Sequence, residues 1–133
     1  MLTFCTKSHD RDGEVTGHGV VKLHVACTDH GNLFGAVAFY LQAKERNLKP
    51  ILGIEAYIAP GDRRDRTYTG VFDGGYHLVL LAENNTGWNN LLYLSSESYL
   101  TGFYFKPRMD RDLLRARNAG IIAINGHLGS EIG

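Results

Sequence analysis

The chain has 133 residues, enough for one domain or a piece of one, and 44% of them are hydrophobic against 21% charged, which is a globular rather than a disordered balance. Fourteen Lys and Arg offset fourteen Asp and Glu, so the net charge is zero and the surface as a whole has no electrostatic footprint for nucleic acid. Two cysteines, Cys5 and Cys27, cannot make a disulfide framework, and neither an apolar run of membrane length nor a signal-peptide pattern stands near the amino end, so a cytoplasmic protein with no membrane partner is expected.

Met1 to Gly19 mixes His9, His18, Asp10, Asp12 and Glu14 with Gly, Ser and Thr and has almost no apolar periodicity. It reads as an irregular or divergent segment, with a metal-binding arm as the sharper alternative. From residue 20 to 133 the patterning is that of a folded domain. Val20 to Cys27 is rich in β-branched and apolar types, as a buried strand is. Thr28-Asp29-His30-Gly31-Asn32 follows, a carboxylate beside an imidazole on an expected loop at the strand's carboxyl end. Asn32 is a fair N-cap for a helix over Leu33 to Asn47, with Phe34, Val37, Ala38 and Leu41 at helical spacing and Pro50 just beyond to end it.

Ile51 to Ile58 is a second strand. Pro60 to Gly75 is a polar loop in which Arg63, Arg64 and Arg66 alternate with Asp62 and Asp65, a pattern that predicts a solvated, self-paired surface more than a phosphate site. His77 to Ala82 is a third strand, and Thr86 to Leu100 a helix with Leu91, Leu92, Leu94 and Trp88 candidates to face inward. Tyr99, Phe103, Tyr104 and Phe105 cluster just after it, as core or interface aromatics do. Asp110 to Asn118 is a short charged helix capped by Gly120, and Ile121 to Asn125 a fourth strand. Strands alternating with helices predict an α/β fold built on a parallel sheet or barrel.

His30, Glu55, His77 and His127 each lie in or beside one of those four strands, and Asp29 adjoins the first. In an α/β barrel, side chains from separate strand ends converge on one face. Imidazoles and carboxylates together suit zinc and other transition metals, and a bridging carboxylate suits metal-assisted phosphoester hydrolysis. Taken singly, each histidine has an ordinary structural reading. Glu55 is harder to explain that way, because a carboxylate among Ile54, Ala56 and Tyr57 is costly to bury unless something pairs it.

Cys27 to Val37, Lys49 to Gly61, Tyr76 to Asn84, Leu91 to Ser96, Gly102 to Met109 and Gly120 to Glu131 together resemble the polymerase-and-histidinol-phosphatase (PHP) domains found at the amino end of bacterial DNA polymerase III alpha subunits. The resemblance runs from about Gly19 to the end. It implies part of a distorted (β/α)7 barrel whose carboxyl-end face holds divalent metal, zinc first and manganese as the alternative. In some members that face is a 3′-5′ exonuclease; in others eroded ligands leave a scaffold that docks a separate proofreading subunit. Carried over by position, His30, Glu55 and His77 fall on metal-ligand positions, Asp29 belongs to the same motif, and His127 stands where the family commonly has cysteine. The implied partners are DNA, reached through a parent polymerase, together with the proofreading and other replisome subunits.

Two departures accompany the match. The family's opening His-x-His strand and helix have no clear counterpart ahead of Asp29, where Lys22-Leu23-His24 gives only a faint echo, and its closing Asp-x-His pair is absent. Three readings therefore stand: a portion of a replicative polymerase, a stand-alone phosphoesterase of the same superfamily, or an inactive docking module.

Overall fold

In the computed structural model, residues 25–71 and 74–125 are described. They form β1 (Val25–His30), α1 (Ala36–Glu45), β2 (Pro50–Ile58), β3 (Tyr76–Ala82), α2 (Asn85–Leu100), β4 (Arg108–Met109), α3 (Arg111–Ala116) and β5 (Ile121–Ile124). The expected readings of His127 and of Met1 to Gly19 lie outside the described residues.

β2 is the centre of the sheet. β1 pairs with its first six residues in parallel register, from Val25 opposite Pro50 to His30 opposite Glu55. β3 runs antiparallel along its other edge, and β5 antiparallel beyond β3, giving the order β1-β2-β3-β5. Two-residue β4 takes over where β1 stops, pairing in parallel with Tyr57 and Ile58. This is an α/β arrangement, but the sheet is mixed, and the expectation of parallel strands throughout is corrected. A parallel return needs a long crossover, usually a helix. α1 supplies one between β1 and β2, whereas the described part of the β2–β3 connection carries no α-helix and the chain comes back reversed.

Alternation along β2 sorts its side chains onto two faces. Ile54, Ala56 and Ile58 point to one side, where they pack with Leu80 of β3, Leu91 and Leu94 of α2, Met109 of β4 and Leu113 of α3 in the main core. α2 meets that core with Gly87, Leu91, Leu94 and Ser98, a single helical stripe, while Leu92 lies outside it. The helix starts cleanly because the Asn84 side chain accepts the Gly87 N–H at 3.0 Å. Gly87 itself is dictated by space, since a Cβ there would run into the Gly120 carbonyl.

α1 departs from its expected form. Gly35 rather than Asn32 is its N-cap; Asn32 accepts the Phe34 N–H at 3.0 Å and donates to the His30 carbonyl at 2.9 Å, bracing the turn before the helix. The helix ends at Glu45 with Asn47 in the left-handed region and the Leu48 N–H returning to the Ala43 carbonyl, so it stops ahead of Pro50. Ala36 and Ala43 are its buried residues, and the Phe34, Val37 and Leu41 stripe that marks the helical period faces outward.

The arginine loop is also corrected. Arg63 is buried, and its guanidinium sits 2.9 Å from Asp110 and 3.9 Å from Glu97 instead of on its neighbours. Asp62 and Asp65 each close a local turn by accepting the N–H two residues on, that of Arg64 and that of Thr67. Buried Arg108 donates to the carbonyls of Gly102, Gly74, Arg63 and Asp65, pinning this loop to the segment before β4. No helix among the described residues is long and apolar enough to cross a membrane.

Candidate metal centre

β1 extends further than its apolar run suggests. Asp29 and His30 are its last two residues rather than part of a loop, because the ladder to β2 continues through Gly31, whose N–H reaches the Glu55 carbonyl at 2.9 Å. Gly31 then turns the chain away with φ +68, and a Cβ there would lie 2.8 Å from the Pro107 ring and 2.9 Å from the Tyr57 ring. Both conformation and space therefore require glycine immediately after His30.

The register places His30 directly opposite Glu55, and it places His77 opposite Tyr57 on the other edge of β2. Because β3 is reversed, its amino end lies beside the carboxyl end of β2. His77, near the start of β3, thereby joins a site that an equally placed residue on a parallel strand would miss by the length of the sheet.

The three side chains meet at Glu55. One carboxylate oxygen lies 2.7 Å from His77 Nδ1 and the other 3.2 Å from His30 Nε2. Glu55 and His77 are mostly shielded, at 14% and 11% side-chain exposure, whereas His30 is 66% exposed at the solvent side. The pairing accounts for a carboxylate in the middle of an apolar strand. Tyr57, two residues along the same face, meets the His77 ring edge-on at 5.0 Å between centroids, and the two histidine rings are 6.4 Å apart. Lys106 Nζ lies 5.5 Å from the centre of the Tyr57 ring.

Asp29 points to the opposite face, as its place beside His30 on a strand requires. Its carboxylate accepts the Gly35 N–H at 2.8 Å, and the Cys27 thiol lies 3.9 Å from its other oxygen. Burial, and after it the Asp29 charge, push the Cys27 thiol above its ordinary pKa. Asp29 thus ties the helix entry to the strand that ends in His30.

Among the described residues, no group of three His, Cys, Asp or Glu is arranged as a ready cage for a metal ion. The donor types nevertheless fit one: two imidazoles and a carboxylate are a common zinc set. The arrangement is two donor pairs sharing Glu55, at 2.7 and 3.2 Å, which are direct hydrogen-bond separations; neighbouring ligands on a tetrahedral zinc lie roughly 3.3–3.4 Å apart, so an ion would have to part the pairs to enter. Tyr57 and Lys106 were not singled out as site residues from sequence. Tyr57 was recoverable by alternation from Glu55; Lys106 was not, because only the short β4 pairing brings its segment there.

A family model described as "PHP domain" matches residues 23–133. The DNA polymerase III subunit alpha of Thermus aquaticus is 55% identical over 109 residues, covering 81% of this chain and 9% of that protein. The subunit of the same name from Deinococcus radiodurans is 48% identical over 122 residues, 90% of this chain and 9% of its own length, and that of Borreliella burgdorferi 48% identical over 109 residues, 82% and 10%. The chain therefore spans about a tenth of the length of the curated relatives it matches. By sequence match over most of its length, it belongs to the PHP domain family.

Proposed function

We propose that this chain is a portion of a bacterial replicative DNA polymerase, the alpha subunit of polymerase III, and that it supplies the metal-binding PHP face of that enzyme. The observation that carries the reading is Glu55 held between His30 and His77 at the carboxyl end of β2. Membership of a family that is in general metal-dependent supports a divalent ion as the cofactor class, with zinc favoured by the imidazole donors and manganese as the alternative. The mixed sheet would then be one side of a (β/α)7 barrel, its Glu55 face turned to the barrel interior. DNA, a proofreading subunit and other replisome subunits would be met through the parent enzyme in the cytoplasm.

His30, Glu55 and His77 would hold the ion, and His127 is a fourth donor in the same proposal. When bound, a divalent ion supplies Lewis acidity toward a phosphate oxygen and lowers the pKa of coordinated water. Tyr57 fixes the plane of the His77 ring, Gly31 lets His30 sit at the solvent edge, and Asp29 holds the loop behind it. The test is metal content of the purified chain, with Glu55→Gln beside it: bound zinc or manganese in the parent chain and its loss in the variant are expected. A metal-free parent chain after zinc loading would sink the reading.

One observation favours a docking role for the same domain. Phe34 just ahead of α1 and Val37 and Leu41 on it are exposed apolar side chains at helical spacing, a surface that a partner could cover. With three convergent donors among the described residues, we expect no exonuclease or phosphatase turnover from this chain by itself. Metal-dependent release of nucleotides from a DNA 3′ end, abolished by His77→Ala, would instead establish the stand-alone phosphoesterase reading.

A further inference from the structure

Tyr104-Phe105-Lys106 is a tight turn: the Tyr104 N–H bonds the Lys106 carbonyl at 3.0 Å, and Phe105 at its tip has φ +60. That backbone region suits glycine; a bulky aromatic there is strained, and the surrounding structure must hold it. Its surroundings do so from both sides. Tyr104 lies under the Arg108 guanidinium at 5.0 Å, and Pro107 abuts Gly31. Phe105 meets the Tyr104 ring edge-on at 4.5 Å between centroids and is otherwise open, at 73% exposure.

The turn borders the Glu55 centre. Lys106 lies over Tyr57, and Tyr57 meets His77 edge-on, so one cation and one ring stand between the Phe105 turn and His77. Ahead of the turn in sequence there is a further set of exposed rings, Phe103 lying 6.0 Å from Tyr99 and Tyr99 6.5 Å from Phe34. Exposed rings interleaved with a cation are the arrangement on which unpaired bases stack while the backbone phosphate is neutralised.

We propose that the Tyr104–Pro107 turn binds unpaired nucleic acid, with Phe105 stacking on a base and Lys106 taking an adjacent backbone phosphate, so that the strand is led toward the His30, Glu55 and His77 centre. This rests on that centre being the site of phosphate chemistry, and it adds the residues that position the strand. The cation beside the ring is what favours a nucleic acid over an apolar protein segment, which would be repelled by having to desolvate Lys106. Phe105 and Lys106 are positioning residues in this scheme.

The experiment uses the full chain and a short single-stranded oligothymidylate ending in 2-aminopurine, with binding read by fluorescence and anisotropy in EDTA. Under those conditions binding does not depend on an ion at Glu55, and metal content of the same preparation tests that centre separately. The 2-aminopurine emission should fall on binding. Phe105→Ala should weaken affinity roughly tenfold and Phe105→Trp should preserve it, while Lys106→Ala should lower the slope of log affinity against log salt by about 0.7. Phe105→Gly relieves the backbone strain, so a folded Phe105→Gly chain that has lost binding separates stacking from misfolding. Unchanged emission with the parent chain, equal affinity of Phe105→Ala, or equal binding of the same sequence as a duplex would each overturn the proposal and leave the turn to a protein partner.

Discussion

The two faces of β2 are built on opposite rules. Ile54, Ala56 and Ile58 pack in the apolar core and hold the sheet to α2 and α3, whereas Glu55 and Tyr57, one residue away in each case, carry a charge and a hydroxyl-bearing ring beside two imidazoles. A single strand therefore does structural and chemical work with no residue in common. The comparison teaches that stability and ligand binding should be separable here by substitution.

Breaking the structural side should have the largest effect. Asp110→Ala removes the buried partner of Arg63 and the side chain that accepts the Leu113 N–H at the start of α3. Arg63 would keep only the Glu97 carboxylate at 3.9 Å and a hydrogen bond to the Thr101 hydroxyl; breaking a buried pair costs up to about 3–5 kcal/mol, so denaturant unfolding should show a large fall in midpoint. Leu91→Ala should follow, at about 2–5 kcal/mol for a fully buried leucine, read as a lowered thermal midpoint. Neither variant should alter the kind of metal the folded fraction takes up.

On the chemical side the order reverses. Glu55→Gln should abolish metal uptake while changing unfolding free energy by less than about 1 kcal/mol, since the amide keeps a hydrogen bond to each flank without an ion pair. A fall as large as that of Leu91→Ala would mean that the two faces are not separable. Arg64→Ala, at an exposed site on the polar loop, should change stability by less than about 0.5 kcal/mol.

Acid sharpens the same contrast. Burial works to raise the Asp110 pKa, but hydrogen bonds from Leu113 and Arg63 and the Arg63 charge outweigh it and hold the carboxyl below its ordinary range. The unfolded chain then binds this proton more readily than the folded one. The contribution of Asp110 is complete above the unfolded value near 3.9 and is lost as pH falls through the lower folded value. Acid unfolding should therefore have a limb below about pH 4 that Asp110→Asn flattens, measured by circular dichroism against pH.

What was legible in the sequence was local. The β2 strand was legible as an apolar run around Glu55, and helical spacing located α2 and its Leu91 and Leu94 contacts. The buried side of α1 was not legible, because Phe34, Val37 and Leu41 mark the helical period yet face out, with small Ala36 and Ala43 filling the tight side. The direction of β3 was not legible, since nothing in Tyr76 to Ala82 states which way its connection returns. The Arg63–Asp110 pair was hidden by 47 residues of separation and by nearer aspartates that offered an easier match. His30, Glu55 and His77 could be named because each sits in a distinctive motif, but their meeting at one carboxylate depended on that unreadable reversal.

Arg108 has one more consequence. The carbonyls it holds belong to three separate stretches, at Arg63 and Asp65, at Gly74 and at Gly102, and none of these stretches is joined to another by a sheet ladder. Loss of its guanidinium from any one position loosens its grip on the rest, so these three stretches should open as a single cooperative unit. In hydrogen exchange the amides of those three stretches would then share one opening free energy, below that of β2 and α2, and Arg108→Lys would lower it for all three together.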